Sequence, residues 1–171
     1  TPVDPAVVEK MLPFFQEDFG NPASVHHVYG RQAKEAVERS RGILAKGINA
    51  ASREIIFTSG TTESINLLAH TLTDKLKPGD EILLSEMEHH SNLVPWQLAA
   101  SRTGASISYI PLSEKGELDL SEPERYFKPS TKIVSFSHVS NVLGTTFPVK
   151  EICKIAKECG AISVVDGCQG I

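Results

Sequence analysis

Three observations predict an α/β fold built on a largely parallel sheet. Short apolar runs, turns and segments with helical spacing alternate along the chain. The apolar runs are rich in β-branched residues, and no internal repeat, low-complexity tract or long linker interrupts the alternation. Asp4 followed by Pro5 marks a helix start, because the carboxylate can cap free amides and the proline ring already holds a helical φ; VVEKMLPFF then supplies an apolar face. Pro13 is expected to kink or end that helix, since it brings no N–H to the next turn. After a loop at 20–24, Ala33, Ala36, Val37, Ile43 and Leu44 recur near helical spacing among charges and predict a longer helix over 29–46. Strands are expected at 54–58, 81–85, 106–110, 133–137 and 162–165. Helices are expected between them at 63–73, 93–102, 121–127 and 149–159, the last closed by Gly160. The turn Lys77-Pro78-Gly79-Asp80 and Gly104 stand where helices should give way to the next strand.

The chain has 171 residues, enough for one domain or a large piece of one. Its 17 Lys+Arg against 21 Asp+Glu leave a formal charge of −4, which argues against a nucleic-acid footprint or a polybasic membrane surface. With 40% apolar and 22% charged residues, disorder, collagen and coiled coil are disfavoured. No apolar run approaches the ~20 residues of a membrane span, and TPVDPAVVEK has neither the basic start nor the apolar block of a secretory leader. Cys153, Cys159 and Cys168 are too few and too clustered for a disulfide framework and match no metal-ligand spacing, so each reads as a small, partly buried apolar residue in a reducing compartment. A small molecule is the expected partner, with no nucleic acid, membrane or metal.

In an open parallel sheet, ligands bind beyond the carboxyl ends of the strands, where loops converge and helix N-termini point their amides outward. The segments that follow the expected strands are Ser59-Gly60-Thr61-Thr62-Glu63, then Glu86-Met87-Glu88-His89-His90-Ser91-Asn92, then His138-Val139-Ser140-Asn141, then Asp166-Gly167-Cys168-Gln169. Gly60 lets backbone approach a ligand, while Thr61 and Thr62 bring hydroxyls and helix-start amides suited to an anion; an ordinary turn with an N-cap has the same sequence. Neither GxGxxG nor GxxxxGK[ST] occurs. His89 and His90 are adjacent and diverge, so one of them as a flat, proton-carrying ring is a sharper reading than a shared metal. The pair His26-His27 has only Asn21 and Ser24 as polar neighbours and reads as loop histidines without a role. Asp166 closes an apolar run, where a carboxylate is costly without a partner; that partner is either structural or a ligand's cationic nitrogen, and if the ligand were a pyridine ring, Gln169 could reach the same ring.

Taken together, five strings resemble the pyridoxal-phosphate-dependent cysteine desulfurases, in the class V group of fold type I aminotransferase-like enzymes. They are residues 20–26 (GNPASVH), 58–67 (TSGTTESINL), 88–96 (EHHSNLVPW), 138–144 (HVSNVLG) and 165–169 (VDGCQ). EHHSNLVPW and HVSNVLG look like the Suf-type branch, and GNPASVH is more like the Isc/Nif branch. The resemblance implies part of the large domain of a fold type I PLP-dependent transferase, a mostly parallel sheet with flanking helices.

Residue by residue, it implies that Thr61 and Thr62 hold the phosphate of pyridoxal 5'-phosphate and that His89 stacks on the ring and shuttles protons. It further implies that Asp166 pairs with the ring nitrogen, that Gln169 bonds the phenolic oxygen, and that Asn141 lies beside the ring oxygen and the substrate carboxylate. The implied reaction converts L-cysteine to L-alanine and passes sulfur to an enzyme persulfide, within sulfur mobilisation for iron–sulfur cluster assembly. A homodimer, a sulfur-acceptor or scaffold protein, and a cytoplasmic or organellar location are implied as well. The lysine that attaches the cofactor and the persulfide cysteine match no position here. The expectation is therefore that residues 1–171 form an incomplete cofactor-binding large domain, without its C-terminal part or the small domain, and that this chain alone is inactive. Selenocysteine lyase, another class V enzyme, or a non-catalytic scaffold with this fold are the alternatives.

Overall fold

A computed structural model describes residues 2–170. These separate into two compact units that divide between Phe57 and Thr58.

The first unit is helical. Helix α1 spans Pro5–Gln16, and the Asp4 carboxylate accepts from the Ala6 amide at 2.8 Å, as the Asp-Pro start requires. The helix runs past Pro13 and ends within the next turn, where the Glu17 and Asp18 amides both donate to the Pro13 carbonyl at 2.8 Å. Helix α2 spans Val28–Gly47. His27 caps it by accepting from the Gly30 amide at 3.1 Å, a local role that the sequence reading did not give it. The expected strand at 54–58 does not form: Ser52–Glu54 is a short 3-10 turn and the following residues are irregular. A strand needs a neighbour for its backbone. Here the Ile55 carbonyl accepts from the Arg41 guanidinium at 2.5 Å, the same guanidinium lies 4.8 Å from the centre of the Phe57 ring, and Ile56 is 71% exposed.

The second unit holds four parallel strands, β1 Glu81–Ser85, β2 Ser106–Ile110, β3 Thr131–Ser137 and β4 Ile162–Asp166, in the order β2-β1-β3-β4. The α/β class with a mostly parallel sheet is as the sequence predicts. Helices α3 (Thr61–Thr73), α4 (Val94–Thr103) and α5 (Val149–Glu158) connect and cover it. Period-two alternation along β1 explains the two cores. Ile82 and Leu84 pack with Ile65, Leu72 and Trp96 of α3 and α4, whereas Leu83 packs with Phe136 and Ile152 on the α5 side. Instead of the helix expected at 121–127 there is one 3-10 turn, Pro123–Arg125. Asp119 draws the Ser121 amide and hydroxyl into a local turn, and Lys128, lying before Pro129, disfavours helical backbone.

Candidate functional site

The strand order places a topological switch point between β1 and β3: the chain leaves β1 to one side for β2, then crosses to the other side for β3 and β4. At the carboxyl ends of these strands lies a hollow of about 160 Å³ lined by Thr61, His89, Ser91, Ser137, Val139, Asn141, Asp166, Cys168 and Gln169. Five residues singled out from the sequence, Thr61, His89, Asn141, Asp166 and Gln169, thus meet at one place although they are scattered widely along the chain. Thr62 does not line it; the residue is exposed and its carbonyl accepts from Asn66 Nδ2 at 2.8 Å. A larger cavity of about 350 Å³ in the first unit is walled mainly by Phe14, Ala33, Val37 and Phe57, with Asp18 and Ser40 as its polar side chains.

Thr61 opens α3. Gly60 before it has φ +153°, a conformation that favours glycine, and the space a Cβ would occupy has no atom within 4 Å. No side chain caps this helix, and among the described residues the Thr61 and Thr62 amides donate to no protein acceptor. An anion would find unpaired donors and a favourable dipole there. Glu63 does not take those amides. Its carboxylate accepts instead from the Ser59 amide at 2.7 Å and hydroxyl at 2.6 Å, and these bonds hold its carboxyl below the ordinary carboxylate range.

His89 is exposed in the loop after β1. Its Nδ1 accepts from the Ser91 amide at 3.1 Å and lies 2.8 Å from the Ser91 hydroxyl. A nitrogen that accepts a backbone N–H carries no proton, so the neutral ring keeps its proton on Nε2. Asp166 is 8% exposed, and its Oδ1 accepts from the Cys168 amide at 3.0 Å. Among the described residues no cation pairs with it. A buried carboxylate that lines a hollow without a cationic partner suits a ligand bearing a protonated nitrogen. The residues present therefore fit pyridoxal 5'-phosphate at both ends, donors at the α3 start and an acid at the end of β4.

The class V aminotransferase model matches residues 1–171. The chain belongs to the aminotransferase class-V family. Among its relatives, a probable cysteine desulfurase of Halalkalibacterium halodurans is 44% identical over 166 residues, which are 96% of this chain and 41% of that protein. A cysteine desulfurase of Pectobacterium carotovorum is 40% identical over 171 residues, 97% of this chain and 41% of that one. The apo structure of a cysteine desulfurase from Thermococcus onnurineus superposes with a TM-score of 0.91 at 41% identity, covering 96% of this chain and 41% of that one. The chain spans about two fifths of the length of these relatives. The likeness to the solved cysteine desulfurase and to a NifS-like protein bears out the fold type I assignment.

Two features of the site escape a reading of the sequence. Cys168 is exposed in the hollow, unlike Cys153 and Cys159, which are half-buried against the α5-side core as expected. Glu88, beside His89, is drawn under the loop and held by four hydrogen bonds. Its only sequence signal is an acid directly before the histidine pair.

Proposed function

We propose that this chain is the pyridoxal-5'-phosphate-binding part of a cysteine desulfurase, whose whole protein converts L-cysteine to L-alanine and passes the sulfur to an enzyme persulfide. The observation that carries the reading is the meeting of Thr61, His89, Asn141, Asp166 and Gln169 around one hollow at the switch point. Relatives named cysteine desulfurase at 40–44% identity point to the same reaction.

Pyridoxal 5'-phosphate, when bound, supplies a protonated ring that accepts the electron pair left when a Cα proton departs. The residues of this chain bind and orient. The Thr61 hydroxyl and the free amides of Thr61 and Thr62, at the start of α3, hold the phosphate. The Asp166 carboxylate keeps the ring nitrogen protonated, and Gln169 serves the phenolic oxygen with a side-chain amide. His89 offers a flat imidazole with its proton on Nε2, able to pack on a ring and to take or return a proton. Asn141 receives the substrate carboxylate. No lysine lines the hollow among the described residues, so the attaching lysine, like the persulfide cysteine, is assigned to other parts of the whole protein. A homodimer and a sulfur-accepting partner belong to the same proposal.

The test is to supply L-cysteine to the whole gene product loaded with pyridoxal 5'-phosphate and to quantify alanine and sulfur. One alanine per sulfur supports the proposal. Alanine from selenocysteine or cysteine sulfinate but not from cysteine would assign a different class-V reaction, and no product from any of the three would assign a scaffold.

A further inference from the structure

We propose that Glu88 is a positioning residue that clamps the carboxyl ends of β1 and β3 across the switch point and thereby sets the place of the His89 ring. The inference rests on reading the hollow as the cofactor site.

Glu88 Oε1 accepts from the Ser137 amide at 3.0 Å and from the Ser85 hydroxyl; Oε2 accepts from the Ser137 hydroxyl at 2.8 Å and from Asn92 Nδ2 at 2.6 Å. Ser85 ends β1 and Ser137 ends β3, so one carboxylate ties together the two strands that flank the crevice. Asn92 is fully buried and carries the network onward, its Oδ1 accepting from Trp96 Nε1 of α4 at 2.9 Å and from Ser135 Oγ of β3 at 2.6 Å. His89 sits between the two anchored residues, with Glu88 on one side and Asn92 three positions on. The loop that presents the ring is thus fixed at both ends.

The polarity of this network is determined. An indole N–H only donates, so Trp96 commits the Asn92 oxygen and turns the Asn92 NH2 toward Glu88. The Ser137 amide also only donates. Each oxygen of Glu88 therefore faces one partner that cannot accept. A glutamine of the same shape must set its own NH2 against one of those two donors, so glutamine leaves the site unsatisfied. The match returns if Asn92 becomes aspartate, because the NH2 introduced by Glu88→Gln then meets a carboxylate oxygen while the second oxygen still receives Trp96 and Ser135.

The experiment compares the parent chain, Glu88→Gln, and Glu88→Gln combined with Asn92→Asp. Two readouts are taken at one fixed pH: the Kd for pyridoxal 5'-phosphate and the His89 ring signals in nitrogen-detected NMR. We expect Glu88→Gln to weaken binding at least tenfold and to move the His89 signals, and the double variant to return both to within about threefold of the parent and to its positions. A single variant with parent affinity and parent His89 signals overturns the proposal. Should Glu88→Gln fail to fold, the double variant decides: folded with restored affinity it supports the clamp, and unfolded or weakly binding it overturns it. A parent chain that binds no pyridoxal 5'-phosphate refutes the reading of the hollow instead, and the His89 signals alone then judge Glu88, with displacement in the single variant and return in the double one as the supporting result.

Discussion

Ser137 and Asp166 stand opposite each other in the β3–β4 ladder, each the last residue of its strand. The backbone of Ser137 is held by Glu88 from the β1 side, while its ladder partner Asp166 lines the hollow. The acid assigned to the ring nitrogen is therefore one strand away from the carboxylate that fixes the His89 loop. Strand register sets Asp166 against Ser137, and the bonds from Ser137 to Glu88 tie the loop carboxylate to that register.

Burial raises the Glu88 carboxyl above its ordinary value of 4.5, against the opposing pull of bonds from Ser85, Asn92 and Ser137. A carboxyl raised in the folded state binds its proton more tightly there than in the unfolded chain. Its contribution to stability is then fully present below about pH 4.5 and declines as pH rises through the elevated midpoint. Urea unfolding of the parent and of Glu88→Gln across this range checks it: the stability difference in favour of the parent should shrink with rising pH, and a difference that grows would contradict the assignment.

Ser108 Oγ in β2 is buried without a hydrogen-bond partner among the described residues. Removing an unsatisfied hydroxyl relieves its desolvation cost, so Ser108→Ala should raise the unfolding free energy by about 1 kcal/mol. A loss of stability on urea titration would mean that the hydroxyl is satisfied in solution.

Gly30 lies buried in α2, where a Cβ would fall 1.7 Å from the Ser24 carbonyl oxygen. Backbone cannot yield as a flexible side chain does. Gly30→Ala should destabilise the protein by roughly 2–3 kcal/mol despite alanine's better helix propensity. A melting temperature equal to the parent's would show that the 20–24 loop does not pack on this helix.

The elements legible in the sequence are those whose signals are local. The bounds of β1 and β2 follow from their apolar runs, and the start of α1 follows from Asp4-Pro5. The strand expected at 54–58 has the same kind of apolar run but no neighbouring strand in the described residues, and propensity alone does not pair a backbone. At the site, Thr61, His89, Asn141, Asp166 and Gln169 are readable because each follows an apolar run or opens a helix. The Glu88 network is not, because the identities of its partners Ser85, Ser135 and Ser137 carry no signal until register brings three strand serines to one carboxylate and its neighbour.

The central claim is that the hollow takes a phosphorylated pyridine whose ring nitrogen rests on Asp166. Isothermal titration of this chain and of Asp166→Asn with pyridoxal 5'-phosphate tests it most directly, since asparagine keeps the oxygen that the Cys168 amide needs and removes only the charge. We predict saturable binding of one equivalent to the parent and at least tenfold weaker binding to the variant, about 1.4 kcal/mol, with an unchanged circular dichroism spectrum. Equal affinity for the two proteins, or no saturable binding to the parent, would contradict the account.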